Sequence, residues 1–326
     1  MHIPDGYLSP DVCAATGAIA AVAVGYSIYK LRDEMADRVV PMTGMMAAMI
    51  FAGQMVNFQL VVVPVSGHLI GGVLAGLILG PWAGCLAVTM VLVVQRFLFS
   101  DGGMFTLGAN ILHMAVIGSI GGYAVASVVR RFFRNARVGT IVGAVIASWV
   151  TVVAASALFC LEFRLSHSAK DFQFGNLFAL MVAIHSLIGI GEALITGSVI
   201  AYVLAHRPDL IVTNATETRH GLIGGVGRVT AAGIVLALCV GAFLAPFASQ
   251  LPDGLDHVAE KHGFSELGQS AWAVFSDYKN MLPSGNWQGL SVSVAGVVGT
   301  LAVFLLAMGF GRAVSLGSRA VEAGRE

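Results

Sequence analysis

The sequence predicts an all-α polytopic membrane protein, a seven-helix bundle followed by a two-helix hairpin. Two observations predict it. Hydrophobic residues make up 57% of the 326 and charged residues only 11%, giving a mean hydropathy of +0.83. These apolar residues gather into about nine segments, most near the ~20 residues a helix needs to cross a bilayer. The 40 glycines suit closely packed membrane helices better than a soluble fold.

In chain order the spans read approximately as 12–31, 39–58, 67–80, 81–100, 106–128, 138–161, 176–205, 229–248 and 290–310. The first carries a smooth stripe of Ala14, Gly17, Ala18 and Ala21, suited to internal packing or to docking another membrane subunit. The third is short, is lined by Gly71, Gly72, Ala75, Gly76 and Gly80, and meets the fourth at the Gly80-Pro81 break. Residues 1–206 hold seven spans. A linker, 207–228, leads to a two-span domain, 229–326, whose spans enclose a segment of roughly forty residues, 249–289. That segment opens Pro252-Asp253-Gly254-Leu255, with Asp253 placed to cap a short helix running toward His262. No inverted repeat of the kind many secondary transporters carry is visible.

Of the 18 Lys and Arg residues, 13 fall on one side; Arg96, Arg164, Lys170, Lys261 and Lys279 fall on the other. The positive-inside rule then expects a multi-pass protein of the cell (inner) membrane, with the N-terminus outside and the C-terminus in the cytoplasm. No cleavable signal peptide is expected, because Asp5 and Asp11 precede the first apolar run and no basic stretch does. Formal charge is zero, so nothing points to nucleic acid. Cys13, Cys85, Cys160 and Cys239 are scattered through apolar segments and read as small buried side chains.

The opening residues Met1-His2-Ile3-Pro4-Asp5-Gly6-Tyr7 carry the most chemistry. A chain beginning Met-His lines up three nitrogens: the α-amine of Met1, the amide of His2 and the His2 imidazole. Amine and amide close a five-membered ring on a metal; amide and imidazole close a six-membered one. Three corners of a square plane result, which suits Ni(II) or Cu(II) better than zinc. Alone, the dipeptide also fits an ordinary frayed terminus. Pro4-Asp5-Gly6 is a turn signal that folds the terminus back onto the protein.

Polar side chains at membrane depth are costly and are functional candidates by default. Here they gather at the end that carries the N-terminus. The second span ends Gln54-Met55-Val56-Asn57-Phe58-Gln59, the third opens Ser66-Gly67-His68, and the fourth ends Gln95-Arg96 before Asp101-Gly102-Gly103. The fifth carries Asn110 and His113; the seventh carries His185 and Glu192. His68, following a flexible Ser-Gly, is the best candidate for the fourth ligand, against the alternative of a histidine bonded to a nearby carbonyl. With four ligands supplied, His113 and His185 read as supporting donors or packing residues. Glu192, two turns from His185, reads as a structural hydrogen-bonding group ahead of a proton or cation partner. Asp101-Gly102-Gly103 reads as a turn. No P-loop, H-E-x-x-H or G-x-S-x-G motif occurs, so ATP hydrolysis through a P-loop and the common hydrolase chemistries are not expected.

At these residues the chain resembles the CbiM/NikM family, the substrate-capturing membrane subunits of energy-coupling factor transporters for cobalt and nickel. The matching motifs are Met1-His2-Ile3-Pro4-Asp5-Gly6, Ser66-Gly67-His68, Gly80-Pro81-Trp82, Gln95 with Asp101-Gly102-Gly103, Leu107-Gly108-Ala109-Asn110, and Gly191-Glu192. The resemblance implies seven helices and a metal held by the Met1 amine, the His2 amide and imidazole, and His68. It also implies work alongside a transmembrane coupling subunit (T component) and two cytoplasmic ATPases. The 229–310 tail resembles the family's small two-helix companion, with Asp256 where that motif usually has glutamate. Val61-Val62-Val63-Pro64-Val65, leading to His68, is more apolar than the family's loop.

The expectation is therefore a non-enzymatic subunit that captures Ni(II) or Co(II) as substrate, nickel slightly preferred because amide deprotonation and a square plane favour it. The alternative is a stand-alone secondary carrier relaying protons through Glu192 and His185, against which stand the missing repeat and the single membrane carboxylate. An intramembrane metalloenzyme fits worse, since a filled square plane leaves no open position.

Overall fold

The computed structural model describes residues 2–32, 39–168, 172–212, 226–269, 272–275, 277–282 and 287–323. The fold is helical apart from one small hairpin. Helix α1 runs Pro10–Leu31 and α2 Val39–Gln54; β1 (Phe58–Gln59) pairs antiparallel with β2 (Ser66–Gly67); α3 (Gly72–Leu79) and α4 (Pro81–Phe99) follow. Then come α5 (Leu107–Arg130), α6 (Ala136–Ser166) and α7 (Phe174–His206). The tail holds α8 (Gly227–Phe247), the short α9 (Gly254–His262) and α10 (Gln288–Ala323).

Seven of these helices are long and apolar enough to cross a membrane, and α2 is a shorter apolar helix of 16 residues. Two helix starts are legible in the sequence. Ser9 accepts the Val12 amide ahead of Pro10, and Pro81 opens α4 after Gly80, whose φ of 84° favours glycine. Helix α4 is the hub: 78% of its apolar window is buried, against 22% for α1 and for α8.

The third span departs from expectation. Its apolar run, 67–80, is helical only over the eight residues Gly72–Leu79. Residues 66–71 instead form β2 and an extended loop that turns at Gly71 (φ 75°). The glycines allow this short helix to wedge in. A Cβ on Gly72 or Gly76 would meet the backbone of Gly118 or Ser119 at 2.7 Å, and one on Gly84 would meet Ala75 and Gly76 at 2.8 Å. The α5 stretch that α3 presses against, Ile111–Gly121, is wound as a π-helix, a form that often accompanies functional sites.

The tail packs along α2. Gly44 faces Phe304 and Met308, Gly233 faces Met45, and Gly299 fits against the Phe51 ring. Asp253 caps α9 as expected, its Oδ1 accepting from Leu255 N at 2.7 Å and Asp256 N at 2.9 Å. Leu255, Val258 and Ala259 on α9 are fully buried in a cluster with Ile3, Tyr7, Phe159 and Phe163. The four cysteines are free, and one reading needs correction: Cys239 is exposed on α8, not buried. The linker expected at 207–228 lies largely outside the described residues. Its first part ends with the Val212 amide bonded to the Leu77 carbonyl of α3.

Candidate metal centre

The opening residues are folded back as a strap over the bundle and fixed by the segment between α4 and α5. Ile3 N–H donates to Asn110 Oδ1 at 2.8 Å. Ile3 C=O accepts from Asn110 Nδ2, Thr106 Oγ1 and Gly103 N. The Asp5 carboxylate accepts from Met104 N at 2.7 Å, Phe105 N at 2.8 Å and Thr106 N at 3.1 Å. Asp5 thus satisfies amides at the start of α5, where a negative charge also suits the helix dipole. Gly103 is required here, because a Cβ would run into Asp5 itself.

This places His2 beside Gln95, Asp101 and His68. Its proton positions follow from a chain of bonds that can be read backwards from one fixed acceptor. The Ile70 carbonyl can only accept, so Gln54 turns its amide nitrogen to it (2.9 Å). Gln54 Oε1 then faces Gln95 Nε2 at 2.8 Å, and Gln95 Oε1 faces His2 Nε2 at 3.1 Å. Nε2 therefore carries a proton, which leaves Nδ1 as the ring nitrogen that can close a six-membered chelate with the His2 amide. Nδ1 lies 3.2 Å from Asp101 Oδ1, so a proton on Nδ1 would be held by that carboxylate until a metal displaced it.

His68 has the matching arrangement. Its Nδ1 donates to the Leu69 carbonyl at 3.1 Å, which leaves Nε2 as the lone-pair nitrogen. The two imidazoles stack with centroids 5.2 Å apart and planes 21° from parallel. Burial lowers the pKa of His2, against the Asp101 carboxylate that raises it, and lowers that of His68 well below its ordinary value, which favours the neutral, metal-binding form of each ring. Among the described residues, no group of three His, Cys, Asp or Glu stands ready to hold a metal. A site of this kind must draw its remaining donors from the backbone. Met1, the third expected contributor, lies outside the described residues.

Glu192 holds the His68 loop, its oxygens accepting Ile70 N at 2.7 Å and Gly71 N at 3.0 Å, in line with the structural role read from sequence. These are the amides that a longer α3 would have bonded itself. His185 lines a small cavity together with His68. The Asn57 carbonyl accepts Ser249 N, a bond to the tail. His113 is not brought to the site either. It pairs with Glu162 of α6 at 3.0 Å, a buried carboxylate hidden from the sequence reading because that span was ended at 161. Glu192 is therefore not the single membrane carboxylate. Arg96, counted among solvent-side cations, is 1% exposed and donates to the Trp272 carbonyl.

The tail covers the site from two sides. Ser66 N and Oγ bond the Pro252 and Leu251 carbonyls, and Ser66 and Asp253 form a parallel bridge beside His68. Gln269 N donates to the Asp5 carbonyl at 2.8 Å. Tyr278 OH donates to Asp101 Oδ2 at 2.8 Å. His68 is left 7% exposed.

The fold and this pocket define a multi-pass helical membrane protein with two stacked imidazoles buried at one end. The chain belongs to the family described as the cobalt uptake substrate-specific transmembrane region, which matches residues 2–210; a PDGLE domain matches residues 227–316. A relative in Archaeoglobus fulgidus, named as a NikMN fusion, is 35% identical over 95% of this chain and 97% of its own. The cobalt transport protein CbiM of Sorangium cellulosum is 29% identical over 65% of this chain and 94% of its own. A crystal structure described as a truncated transition metal transporter is 31% identical with a TM-score of 0.56, and the match covers 63% of this chain and 99% of that one.

Proposed function

We propose that this protein is the substrate-capturing component of an energy-coupling factor importer for Ni(II) or Co(II), nickel preferred. The metal is taken as substrate by the Met1 amine, the His2 amide and Nδ1, and His68 Nε2. Residues 1–206 form the capture domain, 207–228 a cytoplasmic linker and 229–326 the companion domain. The N-terminus faces outward in the cell (inner) membrane and the C-terminus faces the cytoplasm. A T component and two cytoplasmic ATPases supply the energy.

The observation that carries this reading is the Ile70-Gln54-Gln95-His2 chain. It reserves Nδ1, the one ring nitrogen that can join the His2 amide in a six-membered chelate, and His68 offers a second lone pair beside it. The nickel and cobalt transport names of the relatives support the choice of metals. The secondary-carrier alternative is less well supported, because Glu192 is occupied by two amides and Glu162 by His113, which leaves neither to head a proton path.

The test is a nickel titration of purified His68→Ala. High-affinity binding should disappear while the protein stays folded in detergent. Unchanged affinity would remove His68 from the site.

A further inference from the structure

His185 has what a metal-binding histidine needs. Its Nδ1 donates to the Met181 carbonyl one turn back, at 2.9 Å, so the lone pair sits on Nε2. Metal-bound histidines characteristically anchor their other ring nitrogen in this way. Nε2 itself is buried and has no hydrogen-bond partner among the described residues. An orphaned acceptor at membrane depth is costly unless something visits it.

What it faces is informative. His185 lines a cavity together with His68, Ser66 and Asp253, with room for about one water. A Cβ at Gly254 would stand 3.0 Å from His185 Nε2 and 2.8 Å from Cε1. Only a glycine at the start of α9 leaves that nitrogen uncovered. Two imidazoles, each with Nδ1 tied to a backbone carbonyl and Nε2 as the lone-pair nitrogen, therefore share one small space beneath the tail strand 251–254. Ile188, one turn further along α7, sits against Gly67, the residue before His68.

We infer that His185 Nε2 and His68 Nε2 form a second, transient metal position, a two-imidazole staging site completed by water, from which a divalent transition metal passes to the His2 chelate. The inference rests on the reading of His68 as a ligand. It adds a ligand to the path, and it gives Gly254 a function beyond its backbone. Two imidazoles and water hold a metal weakly enough to release it, whereas the amine-amide chelate retains it. No bond is made or broken other than metal–ligand and metal–water bonds, and no redox change is required.

The test uses the full chain with one glycine added before Met1, which disables the chelate and leaves both histidines in place. Co(II) is the probe, followed by visible absorption and by X-ray absorption. The expected result is weak binding of one Co(II) with two imidazole ligands. In the same background His185→Gln should lower that affinity by about tenfold or more and reduce the count to one imidazole. Gly254→Ala, which keeps both histidines but crowds Nε2, should weaken it in the same direction and serves if the glutamine variant misfolds. No Co(II) binding to the extended chain, or binding indifferent to both substitutions, overturns the staging site. Nickel binding by the native-start chain, read in parallel, separates this from failure of the His2 chelate. If the chelate reading is wrong, native and extended chains bind alike.

Discussion

The strap that carries His2 is held by the bundle and by the tail, and the two are built differently. On one side, residues 103–110 bond the Ile3 amide, the Ile3 carbonyl and the Asp5 carboxylate, with Gly103, Thr106 and Asn110 among the buried partners. On the other side, the tail contributes one main-chain bond, from Gln269 to Asp5, and otherwise apolar contact such as Tyr7 against Phe264 at 5.1 Å. The first side shapes the site and the second covers it. Covering and shaping separate by chemistry: directional bonds fix the position of a donor atom, whereas packed rings exclude water without aiming anything.

If that division is right, the largest effect comes from breaking the strap's end. A single glycine added before Met1 converts the proposed amine ligand into a peptide nitrogen, and tight nickel binding should vanish with the fold intact. Calorimetry and the visible absorption of square-planar nickel report it; an equal spectrum would mean that Met1 is no ligand.

Next comes the shaping side itself. Asn110→Ala strands the buried Ile3 amide, at a cost of about 1–3 kcal/mol, and nickel affinity should fall by roughly 10–100-fold. Glu192→Gln replaces a carboxylate spanning two amides with a group that has one acceptor oxygen. A loss of about 1–2 kcal/mol should appear as a lower Tm and weaker binding through His68. Neither variant should alter the docking of the tail, which protease sensitivity of residues 249–269 would reveal.

The covering side should matter least at equilibrium. A chain ending at residue 206 is expected to bind nickel within about tenfold of the full chain, because no proposed ligand lies in the tail. Its metal should leave faster, as a competing chelator would show. Loss of binding in a folded truncation would move the tail from cover to ligand set.

A smaller effect distinguishes the donors by pH. Metal must displace protons from the amine and the amide, so affinity should fall as pH drops below neutrality. Burial has lowered the pKa of His2 and of His68, so these rings stay neutral below the ordinary histidine range and contribute little to that slope. A sharp break centred on the ordinary histidine value would show the rings to be protonated in the metal-free protein.

The sequence made legible what depends on composition and on local chemistry: the apolar spans, His2 and His68 side by side, and Asp253 as a cap. It hid what depends on contacts across the bundle. The run 67–80 is apolar throughout, so nothing in it distinguishes a crossing helix from an eight-residue one whose missing turn is replaced by Glu192 from another helix. Gln54 looked like one polar residue among several, and only the direction of its bond to Ile70 makes it set the His2 tautomer. Glu162 escaped because an apolar window ends before it, although α6 continues to Ser166 and buries it against His113.

The cover is held by the Ser66 bonds to the 251–252 carbonyls and by the apolar faces of α8, α9 and α10. Sharing one chain adds something to these contacts. A tether fixes the cover's local concentration at roughly the millimolar level, whatever the expression level of the gene, and supplies one cover per pocket. A cover that lifts therefore returns to the same place. Cutting the chain within 213–225 would make closure depend on dilution.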